Sequence, residues 1–286
     1  MKIKAYAKVN LSFDVVGKRV DGYHLLETVM QSVSLCDEIE LKVRDSGIEL
    51  TCSDGSICGE NNLAYRAAKC YFEAANKYGA FGGVSIHIDK KIPLAGGLGG
   101  GSADAAAVLV ALNKMFVKLP DEKLLELAVS LGADVPFCVY GGTALAKGVG
   151  EQLEFLKDFP QSHIVIAKRG QKSSTGDMYN KLDSEVLKHP DTKKVVEGIN
   201  NGDLLLFKQG AYNCFEQVCD IDNLEYAKAI LNENGAVYSG LSGAGPSIIG
   251  VFQDLSSAKN AVKKLSQEDF FAIVCKPVLH GNEIIE

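Results

Sequence analysis

A chain of 286 residues that is 47% hydrophobic and 23% charged can bury one large core or two packed ones, which excludes a disordered or collagen-like polypeptide. Thirty basic against 36 acidic residues leave a formal charge of −6, so no excess of positive charge draws the protein onto nucleic acid or an anionic membrane. No apolar run approaches the ~20 residues that span a bilayer, and the start, Met1-Lys-Ile-Lys-Ala-Tyr-Ala-Lys8, has no apolar signal core. This is the pattern expected of a cytoplasmic protein.

The stretch from Ile3 to Val16 mixes β-formers with alternation, and Asp21-Gly22 supplies a turn, which predicts a hairpin. Strand-like runs follow at Ile39–Val43 and Ile48–Cys52. From Asn62 to Tyr78, Leu63, Ala67, Tyr71 and Ala74 recur at helical spacing. A strand is predicted at Val84–Ile88, a glycine-rich loop at Pro93–Gly101, and an alanine-rich helix at Ser102–Met115 with Ser102 placed to cap it. Another helix spans Asp121–Leu131, closed by Gly132. After a short strand at Thr143–Ala146 the pattern restarts at Ile164–Ala167. Helices are then predicted at Thr175–Leu182, Asn223–Asn234 and Ser256–Leu265, with strands near Val237, at Ile248–Phe252 and at Ala272–Cys275. The boundary is placed near residue 152, giving units 1–152 and 153–286 with a cleft between them.

The cysteines, at 36, 52, 58, 70, 138, 214, 219 and 275, form no Cys-x-x-Cys pair, and the five histidines no His-x-x-x-His pair. Most of these thiols are expected in the core, with no protein-built transition-metal site.

Five glycines fill the six positions 96–101, between a strand and a helix. Absent side chains let backbone N–H groups converge on an anion, and the helix start adds its own free N–H groups. Phosphate binding is the chemistry implied, although glycine also serves wherever φ is positive. Gly96 and Gly101 match the spacing of a Walker A loop, but Ser102 stands where lysine is required. The dinucleotide fingerprint fails at the same position.

Read as Pro93-Leu-Ala-Gly-Gly-Leu-Gly-Gly-Gly-Ser-Ala-Asp-Ala-Ala106, this segment resembles the ATP motif of the GHMP small-molecule kinases. Ala5-Tyr-Ala-Lys-Val-Asn-Leu11, Gly17-Lys-Arg-Val-Asp-Gly-Tyr-His24, Gly132-Ala-Asp-Val-Pro-Phe137 and Ser239-Gly-Leu-Ser-Gly-Ala-Gly-Pro-Ser247 are similar to the branch of that superfamily acting on cytidine-diphosphate-linked methylerythritol. The likeness covers nearly the whole chain. Ala103 departs from it where many members carry a second serine, and Ala244 and Ser247 where serine and threonine are usual. The resemblance implies an α+β protein of two domains, a ribosomal-protein-like α/β unit and a ferredoxin-like unit, with the active site between them. It implies a monomer or homodimer that takes a small-molecule substrate, with ATP and Mg2+ as cofactor, and phosphorylation of an acceptor hydroxyl in non-mevalonate isoprenoid biosynthesis.

By the same resemblance Lys8 and Asp134 are the catalytic pair, Asp134 accepting the hydroxyl proton and Lys8 orienting it and offsetting developing charge. From the residues alone, Asp134 before Val-Pro reads rather as a helix cap, and Lys8 as a solvated strand lysine or edge guard. Asn10 shares the face of Lys8 and is expected to bond the acceptor. Pro93, Leu94, Ala95, Gly96, Gly97, Leu98, Gly99, Gly100, Gly101, Ser102 and Ala103 would hold ATP. Asn62 and Lys90 would lie near its adenine end, where the alternative for each is an exposed surface residue. Ser102 is open to three roles: helix cap, phosphate contact or approach to magnesium. Asp104 reads as a simple carboxylate at a helix start. Tyr23 and His24 would stack on cytosine and read its edge. In Ser173-Ser-Thr-Gly-Asp-Met-Tyr179-Asn-Lys-Leu-Asp183, Thr175 and Tyr179 are the matching substrate residues, with Tyr179 the second stacking ring or a core residue.

Overall fold

β1 (Lys2–Lys18) and β2 (His24–Arg44) form one long antiparallel hairpin that turns at Asp21-Gly22, with Gly22 at φ 89°. The run predicted at Ile39–Val43 is simply the end of β2, since no proline or glycine interrupts residues 24–44. The computed structural model describes all residues except 80, 81, 171–173 and 222. β3 (Gly47–Cys52) pairs in parallel with β4 (Gly83–Asp89), and such a pair needs a crossover, here α1 (Leu63–Ala75). Then come α2 (Gly100–Met115), α3 (Asp121–Leu131), α4 (Val135–Tyr140), β5 (Thr143–Lys147) and β6 (Gln152–Phe155). α2 is buried through Ala103, Ala105, Ala106, Ala107 and Ala111, whose small side chains let it lie close to α1 and β1.

The chain continues through β7 (His163–Lys168), α5 (Thr175–Leu182), α6 (Thr192–Asn201), α7 (Leu204–Gly210), α8 (Leu224–Glu233), β8 (Tyr238–Leu241), β9 (Ser247–Phe252), α9 (Leu255–Gln267), β10 (Phe271–Cys275) and β11 (Asn282–Ile284). β10, β7, β9 and β8, in that order, make a four-stranded antiparallel sheet. Numbered within the sheet this is 4-1-3-2, with helices after the first and third strands, the ferredoxin-like arrangement.

The other seven strands form the first sheet, β11-β1-β2-β4-β3 with β5 and β6 attached through β2. The division expected at residue 152 therefore falls at the start of β6, which still belongs to that sheet. Residues 282–284 also return to it, so the second unit does not run to the C-terminus. Nothing in the sequence marks this, because a three-residue edge strand carries no periodicity.

One local expectation is corrected. α2 starts at Gly100 with Gly99 in the left-handed region (φ 69°) as its cap residue, so Ser102 lies inside the first turn and caps nothing. Gly132 closes α3 as expected, in extended backbone (φ 165°). α4, α6 and α7 were not anticipated.

The hairpin is shared by both units. Ala7, Val9, Leu11, Val29 and Val33 pack with Ile164, Ile166, Phe207 and Ile249, while Phe13, Val15 and Leu26 join the core beneath α5, α8 and α9. Half of each long strand is thus covered from the second unit. This is why β1 stays buried on both faces from Ala7 to Val15, including Lys8, Asn10, Ser12 and Asp14.

Candidate active site

Polar side chains on a strand cannot be buried without partners, and those of β1 have them. Lys8 is 5% exposed; its Nζ donates to Asn10 Oδ1 at 2.7 Å and lies 3.3 Å from Asp134 Oδ2. The Asn10 amide donates to Thr28 Oγ1 at 2.7 Å, and its backbone N–H donates to Ser242 Oγ. Asn10 therefore holds Lys8 in place, with its amide oxygen and nitrogen both engaged. Asp134 precedes α4 but its side chain makes no capping hydrogen bond. It is left beside Lys8 at the wall of a cavity of about 310 Å3 that Ser102, Gly97, Tyr179 and Gly243 also line. The solvated-lysine reading fails, and the helix-cap reading holds for the position of Asp134 at the start of α4 but not for its side chain.

The glycine loop runs from Pro93 into α2 and walls a second cavity of about 230 Å3, whose lining spans Pro93 to Ser102 together with Leu63, Lys90 and Ile92. Ala103 is buried behind it. Part of the need for glycine proves to be packing. A Cβ at Gly97 (φ 74°) would stand 2.5 Å from the carbonyl oxygen of Ser242, and one at Gly99 2.9 Å from Lys8 Cγ. Gly96 O accepts from the Ser247 backbone N–H, Gly97 O from Ser242 Oγ, and Leu98 O from the Lys8 backbone N–H, so the loop is tied to both units. Ser247 Oγ is buried with no partner, and Ala244 lines the cavity beside Lys8. Gly101 differs: its Cβ would make only an ordinary 3.6 Å contact with Leu63, in helical backbone. Gly101→Ala should keep or gain stability, by up to ~1 kcal/mol as usual for glycine to alanine in a helix. It should nonetheless raise KM for ATP roughly tenfold, the equivalent of about 1.4 kcal/mol. Gly97→Ala should lower both Tm and ATP affinity. Thermal unfolding with and without ATP separates the two outcomes.

Beyond the loop a third cavity, about 370 Å3, is lined by Ser56, Cys58, Asn62, Leu63, Lys90 and Asp104. Asn62 caps α1, accepting from the Ala64 N–H. Lys90 is not a surface residue. Its ammonium is buried between Asp37 Oδ2 at 2.5 Å and Asp104 Oδ2 at 2.7 Å, while Asp37 Oδ1 accepts from the N–H groups of Lys91 and Ile92. Burial pushes the Asp104 carboxyl up to about 7, opposed by Lys90 and reinforced by Asp37. Asp104 is more than a helix-start carboxylate, and Asp37 was missed; in a strand of mixed charged and apolar residues nothing distinguishes it.

On the opposite side of Lys8 and Asp134 a fourth cavity, about 400 Å3, is lined by Tyr23, His24, Leu26, Ala133, Val149, Gly176 and Tyr179. Tyr23 is 64% exposed. The expected open slot between Tyr23 and Tyr179 is not present: one face of Tyr179 is taken by the His24 ring, stacked at 4.5 Å and 17°, and Phe215 meets Tyr179 edge-on at 5.0 Å. Burial raises the Tyr179 phenol well above its ordinary range, so it stays neutral. Thr175 opens α5, but its side chain lies outside the described residues, as does Ser173.

Of the cysteines, three are buried, four half-buried and Cys58 exposed, fewer in the core than expected. Among the described residues no cluster of three His, Cys, Asp or Glu side chains could hold a metal ion, and no helix is long and apolar enough to cross a membrane.

The models of the GHMP kinases N-terminal and C-terminal domains match residues 62–142 and 195–270. A 4-diphosphocytidyl-2-C-methyl-D-erythritol kinase of Clostridium tetani is 42% identical over 273 residues, 94% of this chain and 96% of the relative. One from Clostridium botulinum is 40% identical over the same shares. The crystal structure of a 4-(cytidine 5'-diphospho)-2C-methyl-D-erythritol kinase superposes with a TM-score of 0.82 at 33% identity, covering 96% of this chain and 98% of that one. A homoserine kinase from Cytophaga hutchinsonii shares the fold, with a TM-score of 0.76 at 22% identity over 100% of this chain and 97% of that one. With both domains matched and relatives this similar over almost its full length, the chain is an ATP-dependent GHMP kinase and belongs to the 4-diphosphocytidyl-2-C-methyl-D-erythritol kinase family.

Proposed function

We propose that this kinase transfers the γ-phosphoryl group of ATP to a hydroxyl of 4-diphosphocytidyl-2-C-methyl-D-erythritol, a step of non-mevalonate isoprenoid biosynthesis, with Asp134 as base and Lys8 as its partner. The observation that carries the reading is the continuity of the cavities. The Asn62–Lys90 cavity and the loop cavity share Leu63, Lys90, Leu94 and Gly101; the loop cavity and the Lys8–Asp134 cavity share Gly97 and Ser102; that cavity and the Tyr23–His24 cavity share Leu26, Ala133, Val149 and Tyr179. A nucleotide laid along the first two places its terminal phosphate beside Lys8 and Asp134. An acceptor with an aromatic base at one end and a hydroxyl at the other fits the last two.

In-line transfer needs little covalent work from the protein and much positioning. Lys8, fixed by Asn10 and Thr28, offsets charge on the phosphoryl oxygens, and Asp134, free of any cap, takes the hydroxyl proton. Mg2+ would accompany ATP, and Ser102, the hydroxyl-bearing residue of the loop, would help to hold it. When bound, it would supply positive charge that offsets that of the phosphates. Tyr23 offers the exposed stacking face, and His24, braced by Tyr179, the edge that reads the base.

The test is ADP release across cytidine-linked, uridine-linked and free polyols. The cytidine compound should be preferred, and Tyr23→Ala should raise its KM ~5- to 150-fold, the scale of 1–3 kcal/mol per stacked base, with KM for ATP unchanged. Equal rates with a free polyol would remove the cytidine from the reading.

A further inference from the structure

His24 is held on two sides. Its ring lies against Tyr179, and its Nε2 is 2.8 Å from Asp183 Oδ1 in the turn that ends α5. Asp183 Oδ2 is 2.5 Å from the ammonium of Lys18, at the other end of the hairpin turn. Both contacts favour the ionised carboxylate, and its pKa is lowered accordingly, by the Lys18 hydrogen bond first and the His24 bond second. A carboxylate only accepts, so Nε2 must carry the hydrogen. In neutral imidazole the remaining nitrogen, Nδ1, then presents a lone pair.

We propose that Asp183 is a specificity-positioning residue: by accepting the His24 Nε2 hydrogen it fixes the tautomer in which Nδ1 accepts from an amino group on the substrate's base. This rests on the cytidine reading above and deepens it. Cytosine carries an exocyclic amine where uracil carries a carbonyl oxygen. An acceptor at Nδ1 pairs with the first and opposes the second, and a site built around one hydrogen bond rejects the analogue that cannot make it. Asp183 touches no reacting atom. It acts through His24 from the second unit, and so couples the placement of α5 to recognition by the hairpin.

The experiment has two readouts on the full chain. Nitrogen NMR of 15N-histidine-labelled protein should show His24 with a protonated Nε2 and an unprotonated Nδ1. Asp183→Ala should mix the two tautomers and shrink the cytidine-to-uridine preference in kcat/KM about tenfold, the scale of one mis-set hydrogen bond. KM for ATP should not move. Asp183→Glu should restore part of the preference, whereas Lys18→Met, which loosens the turn but leaves the acceptor, should keep it. If the wild type prefers the cytidine acceptor and Asp183→Ala moves neither the His24 signals nor the ratio, the proposal is overturned alone. An equal loss in Lys18→Met would also overturn it, reducing Asp183 to a structural tie. No base preference in the wild type would instead refute the reading of the acceptor, and the proposal with it.

Discussion

Asp134→Asn should lower kcat by ~10²-fold or more, the usual contribution of a positioned general base, while KM for ATP stays near normal. The substitution keeps the size of the side chain and an oxygen for Lys8, and removes only the capacity to take a proton. Because Asp134 makes no capping hydrogen bond to α4 and about a third of its side chain is exposed, folding should be little affected. Single-turnover measurement of product formation, beside a melting curve, checks both halves. A variant that melts normally and turns over normally would return Asp134 to the role of a bystander at a helix start.

Lys90→Met should be the most destabilising single change outside the apolar core. Methionine keeps the aliphatic stem but leaves Asp37 and Asp104, both buried, facing each other without a cation. Removing one partner from a buried ionic cluster typically costs about 3–5 kcal/mol. Denaturant unfolding should record that loss, and adding Asp104→Asn should recover part of it, since one carboxylate then remains. The wild type should also carry a pH signature here. Asp104 binds its proton more tightly folded than unfolded, at about 7 against an ordinary 3.8. Its contribution to stability is thus complete below about pH 4 and is lost as pH rises through about 7. Asp104→Asn should flatten that part of the stability–pH curve; an unchanged slope would place the titration elsewhere.

The elements with strong periodicity or strong turn chemistry were legible. The Asp21-Gly22 hairpin and the Asp121–Leu131 and Thr175–Leu182 helices fall where the residues put them. What escaped is what only tertiary contact decides. β6 and β11 are short edge strands recruited by β5 and β1, and α4 is six residues long. Lys8 and Asp134 were found as a pair only through motif resemblance, because 126 positions of chain separate them and neither carries a local signal. Strand periodicity aligns Asn10 with Lys8 and so points it to the substrate. The same alignment lets it bond Lys8 directly, and burial from the second unit makes that bond necessary. Asp37, Thr28, Ser242 and Asp183 hydrogen-bond Lys90, Asn10 and His24 from distant segments and leave no trace in spacing. By sequence Tyr179 fits a stacking ring or a core residue; in the structure it stacks on His24 and is half-buried against the second core.

The most direct test of Asp134 as base is a crystal structure with a non-hydrolysable ATP analogue and the cytidine-linked acceptor. Adenine should lie in the Asn62–Lys90 cavity, the phosphates along residues 96–102, and the base beside Tyr23 and His24. The acceptor hydroxyl should lie within about 2.6–3.2 Å of an Asp134 carboxylate oxygen, the reach of a proton-accepting base. A γ-phosphate remote from Lys8, or an acceptor whose hydroxyl lies away from Asp134 with both ligands bound, would contradict that role.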